Sequence, residues 1–337
     1  MRMNNRISRN IIFQAIIILI FSAILVVSAY LLISYLGHED EIAYAGQTLT
    51  DYNEMKAITI DGVKYLPDPD VYTVLLGGVD KFGDVVESGS YKNDEQIDFI
   101  SLIAYDTEAN TCKILMINRD TMTDVPVLGL GGRSAGTSYE QIALSHTYGT
   151  GTKDSAENTV NAVENLLGGI TIDNYAIMKM DAIPILNDLV GGVTVTMPED
   201  LTQIDPSFTA GSQVTLKGDL SLQFVRRRID VSDGTNLARI NRQQQYINGF
   251  YNNLRASVSQ SSNFLATAFG EIDDYLVTNC DYIQIEEFEN YIKSYPEATV
   301  YSLSGEAIQG DNLYIEFYPD EEQLQKLTVD LFYEKAE

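Results

Sequence analysis

Five arginines, Arg226, Arg227, Arg228, Arg239 and Arg242, fall within seventeen residues of the stretch FVRRRIDVSDGTNLARINRQQQ. The chain as a whole holds 48 Asp plus Glu against 22 Lys plus Arg, so background basicity does not explain the cluster. Like charges at this density repel, and isolated surface ion pairs return only about 0–1 kcal/mol each. A convergent set gains when it faces a polyanion, and the planar guanidinium fork matches phosphate oxygens. In an extended segment residues two apart share a face, so Arg226 and Arg228 point one way and Arg227 the other. A helix capped by Thr235 or Asn236 is expected to run to about Leu254, with Leu237, Ile240, Ile247, Tyr251 and Leu254 on its buried side. Arg239 and Gln243 lie one turn apart on the flank of that stripe, and Arg242 lies further around.

A second set of charges converges for topological reasons. YTVLLGG (Tyr72–Gly78) reads as a buried strand with Asp80 just past its end. Asp98–Tyr105 and Cys112–Ile117 read as a hairpin about the polar turn Thr107–Asn110. Asp98 begins one strand of that hairpin and Arg119 follows the other, so both reach the same end of the sheet. If the Tyr72 strand runs parallel to the Cys112 strand, Asp80 arrives there too, at a sheet edge where α/β folds commonly bind ligands. Two carboxylates beside a phosphate site repel it unless a cation intervenes, and Mg²⁺ takes one or two carboxylates plus substrate phosphates. The combination reads as a Mg²⁺-assisted pyrophosphate or phosphodiester site. Taken singly, either aspartate is better explained as a turn residue or helix cap.

The elements that must position these residues follow from periodicity and punctuation. Helices are expected over Asp154–Leu167, with Asp154 as cap, and over Asp181–Leu189, with Pro184 tolerated in the first turn. Further helices are expected near Ile285–Ile292 and from Asp320 to about Tyr333. Strands are expected over Tyr175–Met180, Val193–Met197 and near Thr299–Leu303. Strands alternating with helices imply a mixed α/β fold, a three-layer αβα sandwich around a central mixed sheet.

Upstream, the first ten residues hold Arg2, Arg6 and Arg9 and no acid, and Ile11–Leu36 is an apolar run. Roughly 20 helical residues cross a bilayer core of about 30 Å, so this run is long enough for one transmembrane helix. It is longer than the roughly 7–15 apolar residues of a cleaved signal, and basic residues before it with acidic ones after it put the N-terminus in the cytoplasm. The expected organisation is a cytoplasmic tail (1–10), a single-pass membrane anchor (11–36), an extracytoplasmic neck (37–67) and an extracytoplasmic domain (68–337). The exterior part carries 19 basic against 48 acidic residues, net −29, which opposes a nucleic-acid partner.

Other motifs are weaker. Cys112 and Cys280 can pair in an oxidising exterior, but two buried thiols are at least as well supported. No CxxC, Cys/His cluster or HExxH is present. GRSAG (Gly132–Gly136) matches GxSxG without the strand before it and the helix after it that a nucleophile elbow needs. VLGLGGRSAG (Val127–Gly136) lacks the Lys-Ser/Thr ending of a P-loop and reads as a flap near the site. His146 reads as a structural histidine.

The motifs together resemble the LytR-CpsA-Psr family of cell-wall enzymes. They are VLLGGVD (Val74–Asp80), INRDT (Ile117–Thr121), HTYGTG (His146–Gly151), VENLLGGITIDNYAIMKMDAIPILNDLVGGVTVTMPEDL (Val163–Leu201), LKGDLSLQFVRRR (Leu216–Arg228) and NLARINRQQQ (Asn236–Gln245). The resemblance covers roughly Tyr72 to Leu254. It implies a membrane-anchored, outward-facing phosphotransferase that moves a teichoic acid, capsule or similar glycopolymer from a polyprenyl-pyrophosphate carrier to peptidoglycan. In such a reaction a muramic acid hydroxyl attacks the sugar-side phosphorus and polyprenyl phosphate leaves. The implied fold is a mixed sheet between helices with a hydrophobic pocket for the lipid. By position, Asp80 and Asp98 match the family's Mg²⁺-associated aspartates, and Arg119, Arg226, Arg228, Arg239 and Gln243 match its pyrophosphate contacts. Arg119 and Asp98 are the implied catalytic residues.

Two positions depart from that pattern. The family often has Arg two residues before the second aspartate, where this chain has Gln96. It often has Asp three residues before the helix arginine, where this chain has Asn236. Arg227 and Lys81 are the candidates for compensation. The departures keep two other readings open: a non-catalytic or attenuated protein that binds polyprenyl phosphates or glycans, and a hydrolase that passes the donor to water.

Overall fold

The computed structural model describes residues 56–227, 236–295, 298–311 and 313–336. The expected tail, anchor and most of the neck, as well as Arg228, lie outside the described residues, and so does the side chain of Asn236. Among the described residues no helix is long and apolar enough to cross a membrane. Thr59–Glu337 forms one compact unit.

Its centre is a six-stranded mixed sheet of β1 (Val71–Val79), β2 (Ile97–Asp106), β3 (Thr111–Ile117), β4 (Asn174–Lys179), β5 (Leu276–Thr278) and β6 (Ala298–Ser302), in the order β5-β4-β1-β2-β3-β6. β1–β2, β2–β3 and β4–β5 are antiparallel, while β1–β4 and β3–β6 are parallel. Successive side chains of a strand face opposite sides, yet neighbours such as Val74 and Leu75, Leu102 and Ile103, and Ile114 and Leu115 are all buried. Both faces of the sheet are therefore covered, which is why these strands read as near-continuous apolar runs.

The helices are α1 (Lys153–Leu166), α2 (Ala182–Leu189), α3 (Asp219–Arg226), α4 (Asn236–Gln260), α5 (Phe264–Glu271), α6 (Tyr282–Ser294) and α7 (Glu321–Phe332). Tyr251 and Val258 of α4, Leu265 of α5 and Phe288 and Ile292 of α6 pack with Val74, Ile103, Cys112, Ile114 and Met116 in one core. A second core gathers Val193, Val195, Met197, Leu201, Phe208 and Leu216 with Phe224 of α3 and Tyr246 of α4. Cys112 and Cys280 are free thiols.

Four local expectations are corrected. The segment holding Arg226 is helical, because Asp219–Arg226 puts Leu222 and Val225 on one buried side, and the backbone turns extended only at Arg227. α4 runs on past Leu254 to Gln260. Val193–Met197 yields only a three-residue strand, Thr194–Thr196, which pairs with Gln213–Thr215 outside the central sheet. At the start of α1, Asp154 does not act as cap. The N-cap is Thr152, and the Asp154 carboxylate instead accepts the Thr150 and Ser155 amides at 2.9–3.0 Å.

Candidate active site

Strand direction delivers the charged residues to one place. With β2 antiparallel to both β1 and β3, the end of β1, the start of β2 and the end of β3 share one edge of the sheet. Asp80 follows β1, Asp98 is the second residue of β2 and Arg119 follows β3. The strand ends are stitched together by the Asp80 amide, which donates to the Gln96 carbonyl at 3.1 Å. Gly77 permits the close approach of β2 and β4 here. A Cβ at that position would lie 2.6 Å from Ile97 Cδ1 and 2.9 Å from Ile177 Cγ1.

Asp98 is the hub. Arg119 Nη1 donates to its Oδ1, and Arg239 Nη1 lies 3.6 Å from its Oδ2. Arg119 also donates from Nη2 to Gln96 Oε1 at 2.8 Å, and its Nε lies 3.4 Å from Asp120 Oδ1. The turn that carries Arg119 is held from below, since the amides of Ile142 and Ala143 donate to the Thr121 and Arg119 carbonyls at 2.8 and 3.0 Å. Arg226, half exposed, donates from Nη2 to Asp80 Oδ1 at 3.0 Å and sits over the Phe82 ring, 5.6 Å from its centroid. Asp98, Arg119 and Arg239 are thus drawn into one ion-pair cluster, and Asp80 with Arg226 forms a second pair at the same sheet edge.

α4 holds α3 in place through its side chains. The last carbonyls of a helix lack partners within the helix. Arg242 Nε donates to the Phe224 carbonyl at 3.0 Å, its Nη2 to the Arg227 carbonyl, and Gln243 Nε2 to the Val225 carbonyl at 3.2 Å. Arg242 is only 1 % exposed and faces Glu199 at 3.6 Å. It is a structural clamp on the segment that presents Arg226, with the guanidinium at a helix C-terminus where a cation is favoured. Arg227 is exposed. Lys81, the other candidate for replacing a missing cation, pairs with Asp94 at 2.6 Å.

Behind the charges lies apolar space. Asp98, Arg226, Arg239 and Gln243 line a cavity of about 150 Å³ whose walls are otherwise Gly77, Gly78, Met180, Leu222, Tyr246 and similar residues. Leu76, Met178, Leu186, Ile247 and Phe250 also line a second apolar space of about 150 Å³ that reaches Cys280 and Ile292. A cluster of cations and carboxylates at the mouth of a long apolar chamber suits an amphiphile with an anionic head. Sequence patterning did not show this chamber, because its lining comes from strands and helices far apart in the sequence. The Gly77–Gly78 pair was the one local sign of crowded strands there.

Residues 39–332 match the LytR_cpsA_psr family. The chain belongs to that family. Among the curated relatives of this LytR_cpsA_psr protein is the polyisoprenyl-teichoic acid–peptidoglycan teichoic acid transferase TagU of Halalkalibacterium halodurans, 27 % identical over 259 residues, covering 75 % of this chain and 76 % of the relative. The crystal structure of Bacillus subtilis TagV superposes with a TM-score of 0.60 at 22 % identity, covering 78 % of this chain and 96 % of TagV. The structure of TagT bound to LI-WTA superposes with a TM-score of 0.58 at 22 % identity, covering 78 % of this chain and 90 % of TagT. These likenesses agree with the mixed sheet described above.

The remaining motifs of the family member take structural places. Ser134 lies at the start of the strand Ser134–Gln141, paired with Met122–Leu128, so GRSAG is a hairpin turn and not a strand–turn–helix elbow. That turn packs on the loop before β2, since a Cβ on Gly132 would fall 2.5 Å from the Tyr91 ring. His146 is buried, with Nδ1 3.2 Å from the Glu95 carbonyl, and burial lowers its pKa to about 4.

Proposed function

We propose that the protein is an outward-facing, membrane-anchored phosphotransferase that moves an anionic glycopolymer from a polyprenyl-pyrophosphate carrier to a peptidoglycan hydroxyl. The observation that carries this reading is the Asp98–Arg119–Arg239 cluster at the mouth of the apolar chamber. It offers guanidinium donors for a diphosphate beside space for its lipid. The relatives named as teichoic acid transferases support it.

In this reading Arg119, Arg226 and Arg239 take the diphosphate oxygens, and Arg228 and Gln243 complete the set. The carboxylates that hold the guanidiniums in the free protein keep them at the cavity mouth. Asp80 and Asp98 would hold a divalent cation when substrate phosphates take those guanidiniums over, since a hard cation takes carboxylate together with phosphate oxygen. Mg²⁺ held there would neutralise charge on the diphosphate. The acceptor hydroxyl attacks the sugar-side phosphorus, the bond from that phosphorus to the bridging oxygen breaks, and polyprenyl phosphate leaves. Gln96 replaces a cation with a neutral acceptor for Arg119, so Arg119 keeps a fixed orientation at the cost of one positive charge.

The test is polymer transfer by the full-length protein with Mg²⁺. Arg119→Ala and Arg226→Ala each remove a transition-state donor and are expected to lower the rate by about 10²–10³-fold. Wild-type rates in both variants would refute the reading.

A further inference from the structure

The loop between β1 and β2 opens with KFGDVVE, and two of its apolar side chains face outward: Phe82 is 56 % exposed and Val86 is 66 % exposed. Their exposure is built into a pinned backbone. The Met180 amide donates to the Lys81 carbonyl at 3.0 Å, the Gly83 amide to Asp181 Oδ2 at 2.8 Å, the buried Lys179 ammonium to the Asp84 carbonyl at 2.9 Å and the Val85 amide to the Asp274 carbonyl at 2.7 Å. Phe82 stands beside Arg226, which lines the mouth of the apolar chamber. An aromatic ring and a guanidinium at the entrance to an apolar cavity, with an exposed aliphatic side chain four residues along the same pinned loop, form the composition that settles at the headgroup level of a bilayer.

We infer that Phe82 and Val86 form a lipid-contacting rim, through which the hydrocarbon chain of an amphiphilic substrate passes from the bilayer into the chamber. This rests on the polyprenyl reading of the site and adds the surface by which the chain is delivered. The acidic neighbours Asp84 and Glu87, in a chain of net charge −26, oppose an anionic surface. Contact is therefore driven by apolar insertion and does not require anionic lipid.

The chain contains no tryptophan, so a single introduced Trp reports its own surroundings. Phe82→Trp and Val86→Trp are made separately in the full-length protein, which is reconstituted into phosphatidylcholine vesicles carrying a lipid brominated near the headgroup end of the acyl chain. Ile283→Trp, at an exposed position in the first turn of α6, is the comparator. The rim positions are expected to emit at shorter wavelength than the comparator and to lose at least half their intensity to the brominated lipid, with Ile283→Trp unaffected. Water-like emission at both rim positions overturns the inference. So does a blue-shifted emission that brominated lipid leaves unchanged, which would mean that protein covers the rim. Polymer transfer by the same samples separates the two proposals. Transfer with an unquenched rim removes only the rim, and a quenched rim without transfer removes only the transferase reading.

Discussion

Arginine has two different uses within one short stretch of this protein. Arg226 and Arg239 reach carboxylates at the cavity mouth, where a substrate anion can take them over, whereas Arg242 is sealed against backbone carbonyls. Spacing alone placed Arg239 and Gln243 together and separated Arg227 from Arg226, but it could not show that the most buried arginine is a clamp. An apolar stripe read at helical period leaves no place for a buried guanidinium unless the carbonyls it satisfies are known. His146 shows a related effect of burial. Its folded-state pKa of about 4 lies below the ordinary value of 6.5, with burial the main cause and the Glu95 carbonyl opposing it. The unfolded chain then binds a proton between these pH values that the folded chain does not, so stability falls as pH drops from about 6.5 to 4. His146→Gln is expected to remove that dependence. The wild-type unfolding free energy should fall relative to the variant's by about 1.4 kcal/mol per pH unit across the window, as followed by denaturant titration. Parallel pH profiles would show that the buried histidine takes up its proton in both states.

At the level of elements, most of the central sheet was legible because its strands are continuous apolar runs bounded by polar turns. The relative direction of β1 and β3 was a condition in the sequence reading, and the antiparallel ladders on either side of β2 meet it. The segment ahead of the long helix was not legible, since FVR carries an extended pattern locally and becomes helical only because Phe224 and Val225 bury against α4 and its neighbours. The junction of α3 and α4 is accordingly a point of stability. Arg242→Met leaves the Phe224 and Arg227 carbonyls without their donor and is expected to cost on the order of 3 kcal/mol. Calorimetry should show a melting temperature lower by about 5–10 °C, and an unchanged value would mean that other groups satisfy α3. Helix and strand ends also build the chamber. Met178 borders both of its parts, so Met178→Trp narrows the passage between them. The variant is expected to keep its affinity for a short-chain prenyl diphosphate and to lose about tenfold for a long-chain one, measured by titration of each lipid. Equal losses for both would place the chain elsewhere.

The whole molecule combines an acidic surface with a compact cationic focus backed by apolar space. The charge balance opposes a role on nucleic acid and makes each guanidinium at the cavity mouth more informative. In the proposed reaction the diphosphate is split by a sugar acceptor and not by water. Release of polyprenyl monophosphate from a labelled lipid-pyrophosphate glycopolymer by the full-length protein, with Mg²⁺ and with or without peptidoglycan strands, tests this most directly. One polyprenyl monophosphate per polymer attached, with release that depends on the acceptor, is the expected result. Equal release without acceptor would identify a hydrolase, and binding of the donor without release would identify a receptor; either result contradicts the claim.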